Sequence, residues 1–376
     1  MRVAGIMSGT SLDGIDVAIV DIEGRRIRTV AFASTPYPAR VREAILGVSN
    51  TTTTTAAIAR LHFLLGRQYA EAIVRCCRRH RIAVKSIELV GCHGQTIYHQ
   101  GEAEGFLGRE VAATLQIGEA SAIAELICAP VVSDFRVRDV AAGGKGAPLV
   151  PYVDYLLFRH AKRGRVALNI GGIANITAIR PDARREQVIA FDTGPGNMVI
   201  DALIFEWTGG RQHFDRNGRI ASQGKVNRRL LDRLLADSYY ARRPPKTAGR
   251  EQYGAQFVDR MKRSGISMPD LIATATALTA SAIAGGIERF VRPRMRVDDL
   301  VVSGGGVHNK RLMEYLAAFL PGVRITTSEE FGVDVDAKEA VAFAVLAYAT
   351  ARRQPSNLPS ATGARHPVIL GKITPG

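Results

Sequence analysis

The sequence predicts an α/β protein of two domains with duplicated β-sheet cores. Three observations carry this. The chain has 376 residues, more than one small hydrophobic core organises. Strand-like alternating runs take turns with stretches of helical spacing. A plan of strand, Gly turn, strand, hairpin, strand occurs at the N-terminus and again about 160 residues later. Two related halves would bring two Gly turns to face each other across an interdomain cleft. The expected division is residues 1–133 with about 351–376, and 134–350.

Composition narrows the class. An apolar share of 46% with 23% charged residues is that of an ordinary globular chain. Apolar runs are broken by Gly, Ser, Thr or charge before a bilayer length, so no membrane partner is expected. The N-terminus enters a strand-like run without a basic region and apolar signal core, which argues against export. Cys76, Cys77, Cys92 and Cys128 form no CxxC pair, so a reducing cytoplasm is expected. A net charge of +15 admits nucleic acid, small anionic substrates or a general Arg bias. Lys and Arg are scattered, and the cluster Arg75 to Arg81 reads as a solvated helix end, so no nucleic-acid partner is expected.

The first strand, residues 2–7, leads into Gly5-Ile6-Met7-Ser8-Gly9-Thr10-Ser11-Leu12-Asp13-Gly14-Ile15-Asp16. Backbone N–H groups of such a small, hydroxyl-rich turn can hold phosphate oxygens; an ordinary tight hairpin would use the same residues. Strands 15–22 and 26–33 follow, joined at Glu23-Gly24-Arg25. A Thr run at 51–55 precedes a helix from 56 to about 79, with Ile58, Leu61, Leu65, Tyr69 and Ile73 on one face. Strand 87–90 ends in the polar run Gly91-Cys92-His93-Gly94-Gln95-Thr96, where an α/β protein keeps its site. His93 itself reads first as a hydrogen-bonded structural residue.

A helix runs to about 127, then a strand at 130–134. Residues 135–148 mix Arg, Asp and Gly with almost no apolar residue and read as a loop touching something polar or as a solvated interdomain crossing. Arg138 is the residue expected to face an anion, since a guanidinium grips a carboxylate or phosphate through two bonds. The second half opens with strand 166–170 and Gly171-Gly172, a return strand 173–179, and strand 187–191. Asp192-Thr193-Gly194-Pro195-Gly196-Asn197 follows. Asp192 is held at a rigid rim, either for catalysis or to cap the helix near Met198.

Residues 226–237 read as a helix, and 244–251 as a Pro-started basic loop, a lid or a linker. A small-residue helix spans 270–287. Strand 300–303 breaks into Gly304-Gly305-Gly306, where a flat ring or a phosphate can lie against backbone. A helix at 309–320, a strand at 323–326 and an amphipathic helix from Glu339 to about 351 complete the chain, with a short tail. Glu339 reads equally as a helix-dipole partner or a site residue.

The three Gly turns, in this order and spacing, resemble those of the actin-like sugar kinase and heat-shock chaperone ATPase fold. The finer match is to the anhydro-N-acetylmuramic acid kinase family. Met7-Ser8-Gly9-Thr10-Ser11-Leu12-Asp13-Gly14, His93-Gly94-Gln95-Thr96, Asp134-Phe135-Arg136 with Arg138-Asp139-Val140, and Gly146-Ala147-Pro148-Leu149-Val150-Pro151 resemble its signatures. Asn169-Ile170-Gly171-Gly172, Phe191-Asp192-Thr193-Gly194-Pro195-Gly196-Asn197 and the loop from Lys246 to Arg250 do too, so the resemblance covers essentially the whole chain. Generic members of the fold carry Asp where this chain has Met7, and often where it has Asn169. In this family those replacements are usual, and the acidic duty looks transferred to Asp13 and Asp192.

The resemblance implies an ATP- and Mg²⁺-dependent kinase acting on a small amino sugar in cell-wall recycling, the alternatives being another sugar kinase of the fold or a nucleotide-dependent binding switch. It implies that Gly9, Thr10, Ser11, Leu12, Asp13, Gly14, Ile15, Asp16, Gly171 and Gly172 hold phosphates and that Gly304, Gly305 and Gly306 receive the adenosine. Asp13 would reach Mg²⁺ directly or through water. Asp192 would be the base, and Gln95, Thr96, Arg138, Asp192 and Glu339 would contact the sugar. A homodimer is implied as well.

Overall fold

The computed structural model describes residues 1–9, 12, 14–24 and 26–376. They form two compact units, Met1–Leu157 with Gly332–Gly376, and Phe158–Phe331.

The first unit is built on a sheet of seven strands, β1 (Arg2–Ser8), β2 (Gly14–Glu23), β3 (Arg26–Pro36), β4 (Leu89–Phe106), β5 (Arg109–Ile117), β6 (Val131–Ser133) and β12 (Lys372–Thr374), in the order β12-β6-β4-β1-β2-β3 with β5 hydrogen-bonded to β4. β1, β2 and β3 are antiparallel neighbours; β4 runs parallel to β1 and to β6. Helix Thr55–Arg79 lays Leu61, Leu65, Tyr69 and Ile73 into this unit's core, and the Thr54 hydroxyl caps it by accepting from Ala57 N.

The second unit carries β7 (Arg165–Ile170), β8 (Ile173–Ile179), β9 (Ile189–Pro195), β10 (Asp299–Ser303) and β11 (Arg324–Thr327), in the order β11-β10-β7-β8-β9. β7, β8 and β9 are antiparallel neighbours, and β10 runs parallel to β7 and β11. This repeats β6-β4-β1-β2-β3 of the first unit strand for strand, so the duplication expected from the two Gly-turn plans is present in the pairing itself. Helix Met268–Val291 is long and apolar enough to cross a membrane, but 83% of its apolar window is buried, and its residues fill the cores on both of its sides.

At the N-terminal ends of β7, β10 and β11, the wholly buried Asp299 accepts from Arg163 Nε at 2.7 Å, Arg324 Nε at 2.8 Å and Arg165 Nε at 3.1 Å. Burial opposes its ionisation, yet the three guanidinium groups hold its carboxyl below the ordinary range.

Several expected boundaries move. The unit divisions fall at 157/158 and 331/332 rather than at 133/134 and about 350/351. Helix Lys338–Ala351 belongs to the first unit because it lies on β1, β2 and β4, and Lys338 Nζ donates to Asp154 Oδ1 at 3.1 Å with both side chains almost fully buried. This helix is not amphipathic: nearly every residue from Ala340 to Thr350 is buried. Its approach to the sheet requires glycine, since a Cβ on Gly5 would stand 2.0 Å from Ala340 O and one on Gly91 2.2 Å from Phe343 O. β4 does not end at residue 90 but runs through the polar residues 91–96. Phe135–Ala141 is a helix rather than loop. The C-terminal tail returns as β12, antiparallel to β6.

Candidate functional site

In the first unit, β1 ends at Ser8, whose Oγ bonds both Tyr37 OH and the Gln95 side chain. The turn beyond it closes with Leu12 N donating to Gly9 O at 3.2 Å. Thr10, Ser11 and Asp13 lie outside the described residues. Leu12 and Ile15 are buried, while Gly9, Gly14 and Asp16 are partly exposed. Gln95 is buried and Thr96 half-buried, with Gln116 Nε2 donating to Thr96 Oγ1 at 3.2 Å. The polar run thus sits in the strand interior because its side chains find partners there.

His93 is buried and its Nε2 accepts from Arg136 Nε at 3.0 Å. Burial, with Arg136 beside it, pushes the imidazole well below its ordinary value, so it is neutral with its proton on Nδ1. Arg136 Nη1 donates to Gly146 O at 2.8 Å, and Gly146 N donates to Asp139 Oδ2 at 2.9 Å. Burial pulls the Arg136 guanidinium down, and Glu339 and Asp139 pull it back up. Arg136 therefore bonds His93 and Gly146 and feels the charges of Glu339 and Asp139. Arg138, two residues on along the same helix, is exposed. Glu339 is half-buried in the first turn of helix Lys338–Ala351.

In the second unit, the two Gly turns meet. Gly171 O and Gly172 O accept from Asn197 N at 2.8 Å and Gly196 N at 2.9 Å, which fixes the β7–β8 turn against the start of helix Met198–Trp207. Gly304 has φ 82°, and a Cβ there would stand 2.8 Å from Asn169 Oδ1 and Ile170 O; Gly306 packs equally closely on Ile170. Gly172 and Gly305 are exposed, leaving open backbone beside both turns.

Asp192 lies within β9, paired with Asn175, and does not cap helix Met198–Trp207. It is gripped on three sides. Its N–H donates to Lys246 O at 3.0 Å, its C=O accepts from Tyr239 OH at 2.6 Å, and its Oδ2 accepts from Ala248 N at 2.9 Å. Burial pushes its carboxyl up to about 7, against the pull of the Ala248 N–H and Lys246. A carboxylate poised near neutrality, with Oδ1 not engaged by that backbone bond, suits proton abstraction. The 244–251 loop is thus packed around Asp192 rather than standing off as a lid. Lys246, Tyr239 and Ala248 escape sequence reasoning because each lies about 50 residues from Asp192 in the chain; the Lys246 to Arg250 motif was the available signal. Arg136 was masked by its neighbour Arg138.

The family model for anhydro-N-acetylmuramic acid kinase matches residues 1–376. An anhydro-N-acetylmuramic acid kinase of Caldanaerobacter subterraneus subsp. tengcongensis is 46% identical, over 99% of this chain and 96% of its own. One of Bacillus cereus (strain G9842) is 42% identical, over 100% of this chain and 99% of its own. Among solved structures, component A of the (R)-2-hydroxyglutaryl-CoA dehydratase of Acidaminococcus fermentans is 13% identical with a TM-score of 0.48, covering 94% of this chain and 99% of its own. The full-length match and these identities make the chain a phosphotransferase, a member of the anhydro-N-acetylmuramic acid kinase family.

Proposed function

We propose that the protein uses water to open the 1,6-anhydro bridge of anhydro-N-acetylmuramic acid and phosphorylates O6 with ATP, giving N-acetylmuramic acid 6-phosphate and ADP in peptidoglycan recycling. The observation that carries this reading is Asp192, held by three hydrogen bonds with its carboxyl near neutrality. Asp192 takes a proton from water as the water oxygen bonds to C1. The C1–O6 bond breaks, and its electron pair stays on O6. O6 attacks the γ-phosphorus, and ADP leaves. The phosphoryl step asks little covalent help of the protein; alignment and charge stabilisation dominate it.

Backbone N–H groups of the first turn, residues 9–16, and of Gly171 and Gly172 would hold phosphate oxygens, and Gly304–306 would receive the adenosine. Gln95, Thr96, Arg138 and Glu339 would contact the sugar. Arg136 joins this set as a cation beside Glu339. Mg²⁺ would be held by the Asp13 carboxylate, directly or through water, and would neutralise charge on the phosphates. Among the described residues no three His, Cys, Asp or Glu gather as a metal cage. ATP use and four free cysteines suit the reducing cytoplasm.

The test is ATP turnover with and without anhydro-N-acetylmuramic acid in ¹⁸O-labelled water, with mass analysis of the sugar. Sugar-dependent ADP release with ¹⁸O at C1 is expected. Turnover on a reducing sugar with no ¹⁸O incorporation would favour an ordinary sugar kinase of this fold. ADP release indifferent to sugar would favour a nucleotide-dependent switch.

A further inference from the structure

Lys246 is 3% exposed, an unusual place for an ammonium group. Its Nζ donates to Tyr239 O at 3.0 Å and lies 4.4 Å from the ring centroid of Tyr239, 5.1 Å from that of Phe290 and 5.8 Å from that of Phe191. Such a cage replaces part of the lost hydration by attraction to the ring faces. The chain path makes this contact consequential. Lys246 O accepts from the Asp192 N–H, Tyr239 OH donates to the Asp192 C=O, and Ala248 N, two residues beyond Lys246, donates to the carboxylate. The Lys246 side chain therefore ties together the two segments that grip Asp192.

We infer that Lys246 is a positioning residue for the base: it pins the 246–248 backbone to Tyr239 so that both hold Asp192, and its cation favours the ionised carboxylate. This rests on the reading of Asp192 as base. The inference accounts for a buried lysine next to a base that must be ionised to act. Burial, Arg289 and Arg242 together push Lys246 down to about 8, while Asp192 pulls it up. The other titratable groups facing Asp192 are Glu251, which opposes its ionisation, and Tyr239 and Tyr253, both raised by burial and neutral throughout. Among these groups Lys246 is the cation.

The test compares Lys246→Met, Lys246→Gln and Lys246→Arg with the wild type in kcat/KM for the anhydro-sugar from pH 5.5 to 9. Met fills the aromatic cage without charge, Gln keeps an N–H donor without charge, and Arg keeps the charge. Loss of the cation should move the acid limb up by about one pH unit, which is about tenfold in kcat/KM at pH 6, with most of the rate regained at pH 8.5. KM for ATP should not move, and Lys246→Arg should keep the wild-type limb. A loss by one constant factor at every pH in Met and Gln, or no loss, overturns the inference. If Lys246→Met does not fold, Lys246→Gln against Lys246→Arg decides alone. A wild type without sugar-dependent ADP release would instead defeat the reading of function, an outcome distinct from an unshifted limb.

Discussion

Gly5 and Gly91 stand opposite each other in the parallel β1–β4 ladder, and both lie directly beneath helix Lys338–Ala351. The helix backbone touches the sheet here: Cβ atoms at these positions would fall 2.0 Å from Ala340 O and 2.2 Å from Phe343 O. Glu339 precedes the first of those contacts. A Gly5→Ala substitution must lift the start of the helix or bend the strand, at about 1–3 kcal/mol. It should also raise KM for the sugar more than KM for ATP, because Glu339 moves with the helix. Urea unfolding and two-substrate kinetics check both. Lost stability with an unchanged sugar KM would take Glu339 away from the substrate.

The Lys338–Asp154 pair makes a second prediction. Both side chains are almost wholly buried, so removing Lys338 takes from Asp154 a charged partner that water cannot replace. Lys338→Met alone should cost about 3–5 kcal/mol, while the double variant Lys338→Met/Asp154→Leu should recover most of it. A double-mutant cycle by denaturant unfolding measures the coupling. Additive losses would mean that the two groups do not stabilise each other.

The duplicated core was legible because strands announce themselves by alternation and their turns by glycine. β1 to β3 and β7 to β9 lie close to where their patterns put them. What the sequence hid were polar residues satisfied at long range. Asp139 made 135–148 look like a surface loop, yet it is wholly buried and accepts from Gly146 N, Asn357 Nδ2 and Thr362 Oγ1, the last two more than 200 residues away. The same blindness ended β4 too early, because Gln95 finds Ser8 across the ladder. Periodicity also misled at the last helix: it packs on three strands, so no face remains to show amphipathic contrast.

The site divides in the same way. Asp192 stood out through its Gly-Pro-Gly context, and the Gly turns through composition. The groups that tune Asp192 did not, because Lys246 reads as an ordinary basic loop residue until its burial is known. Arg138 was the natural anion partner on charge alone, while Arg136, two residues before it on the same helix, is the one bonded to His93.

Asp192→Asn should lose activity and gain stability, with a pH dependence that identifies the cause. Asn keeps an oxygen to accept from Ala248 N but cannot take a proton from water, so sugar-dependent ADP release should fall at least about 10²-fold. For stability the folded carboxyl titrates at about 7 against an ordinary 3.8, so the native state holds its proton more tightly than the unfolded chain. The stabilisation from that proton is complete below about pH 4 and is lost as pH rises through about 7. The variant has nothing to lose over that interval. Its Tm advantage over wild type should therefore be small at pH 4, grow to pH 7 and then level, corresponding to up to about 4 kcal/mol. Thermal melts of both proteins at several pH values, with ADP release on the same samples, provide the check. A Tm difference that stays constant with pH would show that the carboxyl is not held near neutrality, and the base would then have to be sought elsewhere in the second unit.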